Sequence, residues 1–360
     1  MKLRERMTGE SLALVGLVLL LAFLPGLATT FFVNFVMTQT LILGLAASTI
    51  VFLAKYGGMT SLAQLLMFGI AGFMFGNAAL DGGARGLKLG WDPWVAVGFA
   101  ILVTTLVAFV LGAIASRTTG IYFLMLTLVY GVIGYFMFAQ IVEISGPGGI
   151  TNIQRPELLG PPVRLYYAGL VLSVLAYAGF RVLGRTAFGL ALQGVRDDPV
   201  RMASLGFNVP LHRALAFSLA GFVAGFAGLL SVWWNGQVDP ASISIGPTLI
   251  LLIIAVIGGL SSLEGAWLGA FVYVLVLTYL RDLPLIDRIG ITEARFNTVI
   301  GVIVLAIMVL SPEGLTGIVR RLRGRTRGGD TADAAPEPVP APGGSLPVHT
   351  TQKELGGTRP

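Results

Sequence analysis

The chain has 360 residues, of which 55% are hydrophobic and only 12% are charged, a composition that excludes an ordinary soluble globular protein. The net charge of +6 does not indicate nucleic-acid binding, because the Lys and Arg residues lie in short links between long apolar runs. The chain has no cysteine, which excludes disulfides, thiolate metal sites and cysteine catalysis.

The apolar runs predict an all-α, polytopic integral membrane protein with about ten transmembrane helices. Runs of roughly 20 residues match the length of an α-helix that crosses a hydrocarbon core of about 30 Å. A transmembrane β-barrel would instead show alternation over about 10 residues, and the sequence has none. In chain order, the runs cover residues 12–28, 31–54, 62–80, 93–115, 121–142, 165–180, 214–234, 247–280 and 296–310.

The first run has two readings. Residues 12–28 follow three basic residues and end in small residues, which is typical of a cleaved signal peptide. An uncleaved first span agrees better with a chain whose other runs also enter the membrane. We therefore predict the span and leave its cleavage open.

The run at residues 247–280 is too long for one crossing, since 1.5 Å per residue gives a helix of about 51 Å. Three of its four glycines and its single acid, Glu264, lie within residues 258–265, where we expect a break between two spans. Residues 57–62 carry a similar Gly-Gly-x-Thr-Ser-Leu pattern. This similarity has two explanations: a glycine turn followed by a serine cap, or an internal repeat of the kind found in transporters.

Charge asymmetry predicts the orientation. Ten spans place both termini on one side, and most of the 24 Lys and Arg residues then fall on that side, which is cytoplasmic by the positive-inside rule. The predicted organisation is a cytoplasmic N-terminus at residues 1–11, a transmembrane domain at 12–311 and a cytoplasmic tail at 312–360. The tail is rich in Pro and Gly and is predicted to be disordered from about residue 324.

No constellation for catalysis or metal binding is found in the sequence. The two histidines have no acid or thiol at ligand spacing, and no lysine follows a glycine as a phosphate-binding loop requires. We therefore expect no enzyme activity and no bound cofactor, so any ATP must be hydrolysed by another chain. The adjacent Asp197 and Asp198 are interpreted as a solvated, helix-capping pair rather than as a general acid and base.

Apart from Glu264, the spans carry no ionisable residue near mid-membrane, which argues against ion-coupled transport. Their polar residues are uncharged, and helix packing explains most of them. A minority are candidates to line a path for a neutral or zwitterionic solute, whose charges helix ends can meet. The candidates for this path are Gln39, Ser61, Gln64 and Tyr130.

The longest polar link, at residues 184–210, predicts two short amphipathic helices. Pro199 breaks the first, and Asp198 is placed to cap the second. Short helices that present charges and a few apolar side chains suit insertion into a cleft of a partner protein. The residues of this link that matter for the comparison below are Gly184, Arg185, Gly189, Arg196, Asp197, Asp198, Pro199, Arg201, Leu205 and Gly206.

The loop and the apolar span after it resemble the permease subunits of branched-chain amino acid ABC importers of the LivM type. Further matches occur in the family's order at Ser61, Leu62, Gln64, Gly69, Gly148, Gly149, Ile150, Gly258, Gly259, Gly265, Pro312, Glu313 and Gly314. The resemblance covers roughly residues 56–321. It implies that this link is a coupling loop for an ATP-binding subunit, and we expect Arg196, Asp197, Asp198 and Arg201 to make the contacts. The other residues of the implied loop are Gly184, Arg185, Gly189 and Gly206.

The resemblance also implies a complex in the inner (cytoplasmic) membrane of the cell. Its other members would be a second homologous permease, two ATP-binding subunits that use ATP, and an extracytoplasmic solute-binding protein. The implied substrate class is the branched-chain amino acids. Urea, short amides or other amino acids remain alternative substrates for an importer of this kind. The alternative to an ATP-driven importer is an ion-coupled secondary carrier or a channel.

Overall fold

The computed structural model describes residues 16, 18–26, 29–79, 89–146, 148–281, 301 and 314–317. The predicted run at 296–310 and the tail lie almost wholly outside the described residues, and the first run is described at residues 16 and 18–26. The α-helices are α1 (residues 18–26), α2 (Thr38–Gly57), α3 (Gln64–Ala79), α4 (Pro93–Ala115), α5 (Ile121–Gln140), α6 (Val142–Ser145), α7 (Pro162–Leu183), α8 (Ala187–Asp197), α9 (Pro199–Ser204), α10 (Val209–Asn235), α11 (Ile245–Gly258) and α12 (Leu263–Arg281).

The remaining regular structure in the described part is short. A π-helical turn at Phe32–Met37 runs directly into α2, and 3₁₀ turns occupy Glu157–Leu159 and Pro240–Ile243. The two strands, β1 (Ile150–Thr151) and β2 (Gln237–Val238), form one antiparallel ribbon in which Ile150 pairs with Val238 and Thr151 pairs with Gln237. The predicted all-α, polytopic class is confirmed.

Among the described residues, five continuous helices are long and apolar enough to cross a membrane: Phe32–Gly57, α4, α5, α7 and α10. The predicted break at residues 258–265 is confirmed, because α11 ends at Gly258, α12 begins at Leu263, and the two helices are bent by 117°. The predicted spans at 62–80 and 247–258 correspond to helices of 16 and 14 residues. At 1.5 Å per residue these measure about 24 and 21 Å, so neither crosses a full hydrocarbon core alone.

The centre of the bundle is formed by α2 and α10. Over its most apolar 18 residues, the span Phe32–Gly57 is 89% buried and α10 is 67% buried. Over the same length, α4, α5 and α7 are each buried by about a third or less. Small residues permit the closest contacts. Gly228 on α10 lies against the backbone of Phe68 on α3, where a Cβ atom would not fit, which is how helices without large side chains approach in a membrane.

The bundle has two distinguishable ends. α3 begins at Gln64 and reaches the ribbon at Gly76, beside Ile150 and Ile153. α10 begins next to α9 and ends directly before β2. We call the end that carries α8 and α9 the loop end, and the end that carries β1 and β2 the ribbon end.

Candidate functional site

The coupling loop folds into the two short helices that the sequence predicts. The Thr186 hydroxyl accepts a hydrogen bond from the Gly189 amide at 3.3 Å and caps α8. The Asp198 carboxylate accepts one from the Arg201 amide at 2.9 Å and caps α9 immediately after the break. Both caps satisfy amides that have no partner inside the first turn of a helix.

The two helices differ in how they meet the rest of the chain. α8 buries Gly189, Ala191, Leu192 and Val195, and its apolar side packs on α2 and α10. α9 has no buried residue, and Val200 next to its start is 75% exposed. Leu205, just beyond α9, is 64% exposed. α8 therefore anchors the loop, while α9 presents uncovered apolar and charged side chains.

Two glycines of the loop are explained by close packing. The aromatic ring of Tyr56 on α2 occupies the space that a side chain at Gly184 would need. The backbone of Leu183 and Gly184 occupies the corresponding space at Gly189. These contacts fix where α8 leaves α7. The glycine at position 206 is explained by backbone conformation instead, since its φ of +88° lies in a region that strongly favours glycine.

Arg196 connects the end of α8 to the end of α2. Its Nη1 atom donates a hydrogen bond to the backbone oxygen of Lys55. Its Nε and Nη2 atoms each lie 2.8 Å from Oδ1 of Asp197. Arg196 thus makes contacts within the chain, while the Asp197 side chain is 66% exposed.

The two similar glycine segments lie side by side. A cavity of about 520 Å³ at the loop end is lined by Ala54, Lys55, Gly58, Thr60, Arg196, Leu260 and Ser261. Gly58 and Thr60 belong to the break between α2 and α3, and Leu260 and Ser261 belong to the break between α11 and α12. The sequence similarity therefore corresponds to two turns that face one shared cavity.

Three of the four predicted path residues are grouped near the start of α3. Gln64 and Ser61 are buried, and Gln64 Nε2 lies 3.5 Å from Ser61 Oγ. The Leu62 amide donates a hydrogen bond to Thr127 Oγ1 on α5 at 3.1 Å, and Tyr130 lies about one turn further along that helix. Gln64 Oε1 and the Tyr130 hydroxyl are buried without a hydrogen-bond partner among the described residues.

Gln39 lies apart from this group. It is the second residue of α2, about 27 Å along the helix axis from Gly57. Four further residues span at most about 14 Å, so Ser61 remains well separated from Gln39. At the ribbon end, Trp234 Nε1 donates to the backbone oxygen of Asn34, close to Gln39 in the chain. The amide oxygen of Gln39 is also buried without a partner in the described part of the chain.

Two polar contacts between separate parts of the chain could not be predicted from the sequence. Glu264 was recognised only as the acid at a break, but Oε1 of Glu264 accepts a hydrogen bond from the Tyr177 hydroxyl. Arg181 Nη1 in turn donates to that hydroxyl at 3.1 Å. At the ribbon end, Arg155 donates to the backbone oxygens of Trp233 and Trp234 at the end of α10. A positive charge is favoured near the C-terminus of a helix, and this preference is the only signal that could have indicated the Arg155 contact.

The comparisons with known proteins agree on one family. Residues 32–311 match the family described as the permease component of the branched-chain amino acid transport system. The high-affinity branched-chain amino acid transport system permease proteins LivM of Salmonella typhimurium and Escherichia coli are each 27% identical over 308 residues. Each match covers 78% of this chain and 68% of the relative.

Relatives named for the import of another substrate also match. The autoinducer 2 import system permease protein LsrC of Enterobacter sp. is 26% identical over 240 residues, covering 63% of this chain and 68% of the relative. No solved structure matches this chain. Because the family match covers most of the chain, including α2 to α12 and the coupling loop, the protein belongs to the family of permease components of branched-chain amino acid transport systems.

Proposed function

We propose that this protein is the membrane-spanning permease subunit of an ATP-binding-cassette importer for branched-chain amino acids. The observation that carries the proposal is the pair of helices α8 and α9. One is anchored on the bundle, and the other is uncovered and, with its flanking residues, presents charged and apolar side chains. This arrangement suits insertion into the cleft of a separate ATP-binding subunit.

The ATP-binding partners dock on α9 and its flanks. Asp197 and Arg201 supply charge, and Val200 and Leu205 supply apolar contact, because all four side chains are exposed. Asp198 contributes through the cap that fixes the start of α9. The affinity of the ATP-binding subunits for the permease must differ between its inward-open and outward-open states, since otherwise ATP could not shift the equilibrium between these states.

The complex contains a second homologous permease, two ATP-binding subunits and an extracytoplasmic solute-binding protein. The exposed apolar faces of α4 and α5 are available for lipid or for the second permease. The protein lies in the cell membrane with its loop end facing the cytoplasm and its ribbon end facing the outside of the cell. This orientation places Lys55, Arg181, Arg185, Arg196 and Arg201 on the inner side, as the positive-inside rule requires.

The substrate is a branched-chain amino acid that passes near Ser61, Gln64 and Tyr130. The two buried polar oxygens at Gln64 and Tyr130 support a polar ligand there, because a buried oxygen without a hydrogen bond is unfavourable. The LivM relatives, which are named as branched-chain amino acid permeases, support the amino-acid class. The LsrC relatives make a different small polar solute the second candidate.

Uptake by the reconstituted complex tests this function. Proteoliposomes that hold the complex and internal ATP are expected to import labelled leucine, and unlabelled isoleucine and valine are expected to compete. Unlabelled urea, alanine and autoinducer 2 serve as comparison competitors. Uptake that persists without ATP but needs an ion gradient would contradict the importer, and competition by urea or autoinducer 2 alone would contradict the amino-acid substrate.

A further inference from the structure

Arg196 lies where the coupling loop meets the break between α2 and α3. We propose that Arg196 is a positioning residue that carries movement of α8 into this break and so changes the cavity shared by the two glycine segments. The proposal rests on the proposed function, since it concerns how docking of an ATP-binding subunit reaches the solute path. It assigns Arg196 to contacts inside the permease rather than to the surface that docks the partner.

The guanidinium of Arg196 is held from two sides. The backbone oxygen of Lys55 accepts the hydrogen bond from Nη1 and lies in the last turn of α2. Carbonyl groups in the last turn accept no hydrogen bond from amides of their own helix, so this oxygen is free to accept one from Arg196. Nε and Nη2 both lie 2.8 Å from one oxygen of Asp197, which fixes the plane of the guanidinium. Displacement of α8 therefore pulls on the end of α2 through a charge-assisted hydrogen bond.

The stem of Arg196 adds a steric contact to this bond. Gly58 ends α2 with a φ of +63°, a left-handed conformation that favours glycine. The Cγ atom of Arg196 lies 2.6 Å from the position that a Cβ atom of Gly58 would occupy. The α2 turn and the Arg196 stem are therefore in direct contact, so neither can shift toward the other independently.

The opposite wall of the cavity has its own attachment. Ser262 Oγ donates to Thr316 Oγ1 at 2.7 Å, and Thr316 Oγ1 donates to the backbone oxygen of Gly258 at 3.0 Å. The α11–α12 break is thus held by residues 314–317, whereas the α2–α3 break is contacted by α8 through Arg196 and by α5 through the bond from Leu62 to Thr127. Movement of α8 therefore changes the separation of the two walls, and Ser61 lies immediately after Thr60 on the wall that moves.

The coupling ratio distinguishes this role from a docking role. Arg196→Ala is placed in the full complex, and leucine imported per ATP hydrolysed is measured together with retention of the ATP-binding subunits. Retention is expected to match the unmodified complex, while leucine imported per ATP falls by about tenfold, as loss of one charge-assisted contact between two states allows. Arg196→Lys is expected to recover part of the ratio, because an ammonium can still donate to Lys55.

Two other arginines serve as comparisons. Arg201→Ala, in the exposed docking helix, is expected to weaken retention of the ATP-binding subunits. Arg117→Ala, exposed in the α4–α5 link, is expected to change neither measurement. If Arg196→Ala loses the subunits as Arg201→Ala does, or keeps the normal ratio, the proposal is wrong. An unmodified complex without ATP-dependent leucine uptake would contradict the proposed function instead.

A crosslink across the cavity gives a second measurement that does not require an Arg196 variant to fold. The chain has no cysteine, so Thr60→Cys combined with Ser261→Cys adds the only thiols of this subunit. A bifunctional methanethiosulfonate is expected to stop leucine uptake while the ATP-binding subunits stay bound, and dithiothreitol is expected to restore uptake. Uptake at the rate of the cysteine-free parent after crosslinking would overturn the proposal.

Discussion

The Tyr177 hydroxyl on α7 donates a hydrogen bond to the carboxylate of Glu264 in the first turn of α12. Arg181 Nη1 donates to the same hydroxyl, and the Cζ atom of Arg181 lies 5.9 Å from the centre of the Tyr177 ring. An acid near a membrane span is expensive unless it is paired or hydrogen-bonded. The contact explains how Glu264 is tolerated at the start of α12, and it joins α7 to the second glycine break.

Removing the Tyr177 hydroxyl is therefore expected to destabilise the protein. Tyr177→Phe keeps the ring but leaves Glu264 without this donor, at a cost of about 1 kcal/mol for a hydrogen bond to a charged group that is partly exposed. Thermal unfolding of the purified protein in detergent measures the change. Tyr122→Phe, on an exposed ring of α5, is the matched control, and an equal effect of both variants would contradict the assigned contact.

The contact between Leu62 and Thr127 makes a second prediction. Thr127→Val removes the acceptor of a buried backbone amide, so the free energy of unfolding is expected to fall by about 1–3 kcal/mol. Thr104→Val is the control, because Thr104 is also fully buried but its hydroxyl donates only to Ala100 in its own helix. If the two variants have the same stability, the hydrogen bond from Leu62 to Thr127 does not contribute to stability.

Close approach of α10 and α3 at Gly228 makes a third prediction. Gly228→Ala places a methyl group against the Phe68 backbone, which is expected to cost about 1–3 kcal/mol of stability. Gly98→Ala provides the opposite case, since Gly98 lies within α4 with open space around it. There alanine is expected to be neutral or to stabilise by up to about 1 kcal/mol. Thermal unfolding compares the two, and a destabilised Gly98→Ala together with an unaffected Gly228→Ala would refute the packing.

The proposed path makes a fourth prediction. Gln64→Ala removes a buried amide near Ser61 and Tyr130, so the KM for leucine is expected to rise several-fold in the uptake assay. Gln39→Ala, which also removes a buried amide oxygen without a partner but lies near the ribbon end, is expected to have a smaller effect. The assignment of Gln64 should be abandoned if neither the KM nor the maximal rate changes for any tested solute.

Much of the helical architecture could be predicted from hydropathy and from helix-breaking residues. Pro199 and Asp198 mark the boundary between α8 and α9, and the glycines after Ile257 mark the end of α11. These signals are local, because proline removes an amide donor and glycine loosens the helix. The family was likewise recognisable from ordered matches along the chain.

The contacts between elements could not be predicted in this way. Nothing in the local sequence places Arg196 beside Lys55, or Gly58 opposite Leu260, because these contacts depend on how α2, α8 and α11 pack in three dimensions. Hydropathy also overestimated the lengths of α3 and α11, which have 16 and 14 residues. Of the predicted path residues, only Gln39 is separated, by the length of α2.

The two-stranded ribbon has a consequence for folding. Ile150 pairs with Val238, so the ribbon closes a loop that contains α7, α8, α9 and α10. At a synthesis rate of about 5–20 residues per second, β2 is synthesised on the order of 10 s after β1. The ribbon can therefore form only after α7, α8, α9 and α10 have been synthesised. Until it closes, the edge of β1 is exposed, and chain truncation before Gln237 is expected to leave it without its partner strand.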